Sequence, residues 1–302
     1  MNDDTKRTRE ALSLRTFFDD QLDHLQNLVG NLSSHIHEEM QQAEEDKQIV
    51  ETFVEVSNSK MRAVQGYAHK LRGYVRTLYN HVLQVVDEIP PPINLDLGTF
   101  GTDTIINALF VNSNDIDKLF QTNPDVNAFL HAHSKDEAPI LYALLTANKS
   151  EKSTLGVAMQ GDMLIRDVPQ QAVNFSAHKI HTPCTSSAEL NVALKEYLFT
   201  RVVALIKQEM LSHCADQTFN ADNSYQSKVN SLANPDVYLD TLISYIENPA
   251  NLLSINKLHF KLSKMGIKLN DDDQQSANEF DIHELNWRDN IRVVVLQITH
   301  TL

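Results

Sequence analysis

The sequence predicts an α+β fold: a long N-terminal coiled-coil helix or helical hairpin, followed by an antiparallel sheet domain covered by helices. Three observations carry this. Apolar residues recur in steps of four and three from Phe18 to Ile89, alternating except for two consecutive fours at Leu32, Ile36 and Met40, short alternating runs after residue 140 read as strands, and one long amphipathic stretch runs from Ser187 to His213. Pro90-Pro91-Pro92 divides the chain into a helical region, 1–89, and a globular α+β domain, 90–302.

The stripe passes through Leu25, Leu32, Ile36, Val50, Val54, Val64, Leu71, Val75 and Leu78, and its polar positions are Lys47 and Ser57. A spacing of 3.5 keeps a narrow seam facing a partner helix, whereas a helix lying on a globular core needs a wider apolar face. Charge sets the direction of pairing. Ten acids and one base lie between Asp19 and Glu55, and five bases with no acid lie between Ser57 and Val86. Antiparallel pairing about Ser57 puts acid against base, with Glu51 near Arg62, Glu44 near Lys70 and Glu38 near Arg76. Ser57-Asn58-Ser59 suits a hairpin turn. The unbroken phase of the seam favours instead a straight helix paired with a second copy, and the balance falls to the straight helix.

The globular region begins with short helices. Thr102 or Thr104, Asn114 and Pro124 are expected to start them. A meander follows, with strands at Ile140 to Thr146, Thr154 to Gln160, Met163 to Val168 and Ala172 to Ile180. Its turns fall at Asn148 to Lys152 and at Gly161-Asp162. Leu190, Leu194, Leu198, Val202, Ile206 and Met210 form the apolar face of the long helix, and Pro235 opens another. Strands at Leu258 to Leu262, Phe280 to Leu285 and Ile291 to Ile298 complete the sheet.

Composition excludes more than it identifies. A net charge of -14 disfavours nucleic acid and anionic membrane surfaces, and no stretch approaches 18 uninterrupted apolar residues. The basic stretch Lys60 to Arg76 is read as the complement of the acidic half, with a nucleic-acid face as the lesser alternative. Two cysteines, Cys184 and Cys214, make no disulfide framework, which fits a cytoplasmic protein. Eight glycines and the lack of any Walker A, G-x-G-x-x-G, G-x-S-x-G or H-E-x-x-H motif argue against phosphate-loop and hydrolase chemistry.

His178, His181 and Cys184 have a spacing that can contribute to a zinc site, but alternation along a strand points the two histidines to opposite faces. Asp162 and Asp167 are the carboxylates of the same region, His131 and His133 read as a helix end, and Asn112 to Asp117 as a cap. No cofactor is expected. The reading is a cytoplasmic interaction or scaffold protein that forms a homodimer, or binds another helical protein, through Leu25, Leu32, Ile36, Val50, Val54, Val64, Leu71, Val75 and Leu78, with Arg62, Lys70 and Arg76 fixing orientation. The alternative is an enzyme, such as a metal-assisted hydrolase, with its site on the sheet.

Overall fold

A computed structural model describes residues 42–96, 98–133, 140–160, 163–216, 234–269 and 277–301. The chain is α+β, and its sheet curls round on itself.

Among the described residues there is no long N-terminal coiled coil: helix α1 is described over residues 42–57 and ends there, and Leu25, Leu32 and Ile36 lie outside the described residues. After α1 the chain makes a 3-10 turn, Ser59–Ala63, capped by the Asn58 side chain, and passes Gly66 at φ 71° into α2, Tyr67–Asp87. The seam keeps its spacing through this break because Met61 and Val64 are buried from the turn itself. Spacing alone therefore mimicked a continuous helix.

The buried face of α1 is also wider than a coiled-coil seam. Asp46, Val50, Phe53, Val54 and Ser57 are buried, while Ala43 and Lys47, both on the expected seam, are exposed. Phe53 is off that seam and fully buried. In α2, Val86 joins Leu71, Val75, Leu78, Val82 and Val85. This is the broad face of helices resting on a core.

That core is shared across the triple proline. It joins α1 and α2 to α6 (Ser187–Asp216), α7 (Pro235–Ile246) and one face of the sheet through Leu144, Leu253, Leu285, Trp287 and Val295. The six apolar residues expected on the long helix are all buried on α6, whose start is capped by Ser186: its Oγ accepts from the Glu189 N–H, and the Glu189 carboxylate accepts from the N–H of Thr185, one residue before the cap.

Three short helices cover the opposite face: α3 (Thr104–Leu109), α4 (Ser113–Thr122) and α5 (Pro124–Ala132). Their caps are Asp103, Asn112 and Asn123, each accepting from backbone N–H groups.

The strands are β1 (Ile93–Asn94), β2 (Ile140–Gln160), β3 (Met163–Cys184), β4 (Leu253–Leu262), β5 (Asn278–Trp287) and β6 (Arg292–Thr301). Their order is β3-β2-β6-β5-β4, antiparallel, with β1 added parallel to β6. The two ends of this path meet. Val173 donates to the Gly266 carbonyl and Lys268 to Gln171, each at 2.8 Å, while Leu269 donates to Lys261 at 2.9 Å. Phe175 of β3 and Phe260 of β4 consequently touch at 6.2 Å across the inside of the curl. Gly266 is required here: its φ is 74°, and a Cβ would stand 2.9 Å from the Val173 carbonyl oxygen.

The expected meander is instead one long hairpin. Asn148 to Lys152 continue β2 as strand, because their polar side chains find partners there: Lys149 pairs with Glu284 at 3.2 Å and with Glu151 at 3.6 Å.

Candidate interaction surface

The β2–β3 hairpin is longer than the sheet that holds it. Pairing of β2 with β6 ends at Ala147, and bridging to the 266–268 segment ends at Gln171, opposite Ser153. From Thr154 to Gln160 the hairpin proceeds alone, for about 23 Å at roughly 3.3 Å per residue.

This arm carries exposed apolar side chains. Leu155, Val157, Met163 and Ile165 are 67%, 47%, 71% and 36% exposed. Leu155 and Val157 share one face by alternation, and Ile165, paired to Ala158, lies on the other. Isolated exposed apolar residues are ordinary, but four on one projecting element mark a contact surface.

The two edges of the arm differ. β3 is interrupted at three register shifts against β2, and Asp167, Ala177 and Thr182 sit at them with φ of 60°, 54° and 51°; Asp167 lies within the arm, the other two within the sheet. Each is a bulge whose left-handed residue costs of order 1 kcal/mol, and Pro169 further interrupts this edge. Bulges and proline are devices that stop a strand from adding another. The outer edge of β2 has neither. Ser153 to Gln160 contains no charge and no proline, and no described strand pairs with that edge beyond Ala147.

The residues expected to form a helical interface lie elsewhere. Val50, Val54, Val64, Leu71, Val75 and Leu78 are all buried within the core of the chain itself. Arg62 bonds to Glu51 at 3.1 Å and Glu55 at 2.8 Å, Lys70 pairs with Asp236 rather than Glu44, and Arg76 joins Arg72 on Asp46. The Tyr67 hydroxyl and Arg62 hold the Glu51 carboxyl below its usual range.

The histidines and cysteine do not converge. His178 stacks on Phe110 at 4.4 Å on the α3 side of the sheet, whereas His181 bonds to Thr146 at 3.1 Å and touches Tyr197 of α6 on the other side. Burial lowers the pKa of both. The Cys184 thiol donates to the Thr182 carbonyl, and burial raises its pKa. Among the described residues no three His, Cys, Asp or Glu side chains are grouped as a metal site requires. Asp167 occupies a bulge, and Asp162 lies outside the described residues. His133 ends α5, with Nδ1 at 2.9 Å from the Phe129 carbonyl oxygen.

Compared with protein-family models, curated proteins and solved structures, the chain matches none. No described helix is long and apolar enough to cross a membrane.

Proposed function

We propose that this chain is a protein-interaction module that self-associates by strand addition along the outer edge of β2, with two copies related by a two-fold axis and their arms antiparallel. The observation that carries this is the uncharged edge Ser153 to Gln160, beside exposed Leu155 and Val157.

A second copy suits this edge for two reasons. Two identical neutral edges satisfy each other's backbone groups with no charge set against a like charge. Each chain as a whole carries -14 and repels its copy, so the uncharged β2 edge of the arm is where two chains can meet. Strand addition over about eight residues buries less than the roughly 1,200 Å² of a firm interface, so the association is weak, in the micromolar range or above.

Light scattering over a concentration series tests the reading. The expected result is a monomer–dimer equilibrium that tightens with added salt, as repulsion is screened. The double variant Leu155→Lys, Val157→Lys is expected to remain monomeric with unchanged thermal unfolding. A parent chain that stays monomeric at hundreds of micromolar, or a variant that dimerises equally well, would overturn it.

A further inference from the structure

Where α6 crosses the sheet beside β3, a cavity of about 270 Å³ opens to solvent. Lys179, His181, Arg201, Asn148, Tyr197 and Trp287 supply its polar and aromatic lining. No carboxylate lines it among the described residues, in a chain with 40 acids and 26 bases. Lys179 and Arg201 are both exposed, and no described carboxylate pairs with either. Elsewhere this chain spends its cations on acids, as Arg62, Arg72, Arg76, Lys149 and Arg288 show.

The groups are also held in place. The Arg201 guanidinium lies over the Trp287 ring at 5.1 Å, which fixes its plane and leaves its N–H edge available for an oxyanion. Trp287 is itself buried between the helical layer and the end of β5. His181 is set by Thr146 from β2 and Tyr197 from α6.

We propose that this cavity binds a small oxyanion, a phosphate or carboxylate group, with Arg201 and Lys179 supplying charge, Asn148 supplying a hydrogen bond, and His181, held by Thr146 and Tyr197, lying beside the bound group. Burial chiefly disfavours a proton on His181; Asp125 of α5 opposes this, and Arg201 and Lys179 add to it. A bound anion neutralises the two cations and adds negative charge beside the ring. The imidazole of His181 therefore takes up a proton more readily when the site is filled.

Calorimetry with inorganic phosphate and, separately, citrate in chloride buffer tests the site, alongside NMR titration of the His181 ring. Saturable binding of phosphate identifies the phosphate class, and binding of citrate alone identifies the carboxylate class. Either supports the proposal if Arg201→Gln weakens it at least tenfold and His181 titrates at higher pH in the complex. Arg201→Lys is expected to recover part of the affinity, and Lys152→Gln, on β2 outside the cavity lining, to change nothing. Lack of saturable binding by both anions overturns the proposal. So does binding that Arg201→Gln and Lys179→Gln leave unchanged while both variants retain the parent's thermal unfolding.

Discussion

Lys149 is the residue whose replacement tests the inside of the curl most directly. Its ammonium lies 3.2 Å from Glu284 Oε1 and 5.7 Å from the centroid of the Phe260 ring, with side-chain exposures of 17% for Lys149 and 4% for Glu284. At an effective dielectric of about 20 the pair attraction is roughly 5 kcal/mol, but bringing both ions out of water costs a comparable amount. The net value of the pair is therefore small, while its loss is not. Lys149→Met leaves the buried Glu284 carboxylate, on the register row of Val294 and Ala147, without its cation, and is expected to cost about 3 to 5 kcal/mol. Glu284→Leu strands the ammonium, which sits nearer solvent and has Glu151 at 3.6 Å, so its cost is expected to be lower, about 1 to 3 kcal/mol. The double variant restores neutrality in an apolar setting and is expected to match or exceed the parent. Urea unfolding of the four proteins at neutral pH gives the double-mutant cycle. Single variants that each cost under about 1 kcal/mol and add without coupling would refute the reasoning.

Two further outcomes follow from the core. Phe53→Ala removes a fully buried ring that meets Phe199 at 6.4 Å and is expected to cost about 3 to 5 kcal/mol, whereas Lys47→Leu, on an exposed position, is expected to change stability by less than about 0.5 kcal/mol; urea unfolding that ranks them the other way would restore the narrow seam. His178 and His181 have pKa values lowered by burial, so below about pH 6.5 the unfolded chain binds protons that the folded chain resists. Stability is then full above about pH 6.5 and falls as pH is lowered toward the folded values, by up to about 1.4 kcal/mol per pH unit for each histidine. Unfolding midpoints that stay flat between about pH 7 and pH 5 would contradict this, and His178→Phe is expected to flatten part of the slope.

Much of the secondary structure was legible because local chemistry decided it. Pro124 and Pro235 open α5 and α7, the apolar face of α6 is the one its spacing marks, and the closing hairpin of β5 and β6 follows its alternation. What misled was the stripe before residue 90. A period of 3.5 distinguishes a seam from a core face only when residues beside it are known to be solvated, and Phe53 and Val86 are not. The 3-10 turn at Ser59–Ala63 then carried Met61 and Val64 inward at intervals a helix would also have produced. Likewise Asn148 to Lys152 has the composition of a turn, and its pairing with β3 and the buried partner of Lys149, Glu284, more than 130 residues later, are not visible from that composition.

The surface was less legible because it depends on what lies next to each segment. Leu155 and Val157 were assigned to a strand correctly, but alternation cannot say that the strand outruns its neighbour β6 at Ala147. Nor does sequence reveal that Asp167, Ala177 and Thr182 adopt left-handed backbone, since none is glycine. Their common effect is directional. Every register shift between β2 and β3 places its left-handed residue on β3, leaving the β2 edge of the arm straight and neutral. Backbone strain confined to one of two adjacent edges is hard to reconcile with an arm that merely fills space, because blocking strand addition on one side has value only if the other side is meant to accept it. Removing both interruptions, by deleting Asp167 from β3 and replacing Pro169 with Thr, should therefore open the second edge as well. The expected result is a shift from discrete dimers to open-ended assembly in light scattering, and an unchanged size distribution would show that the bulge at Asp167 and Pro169 do not govern which edge pairs.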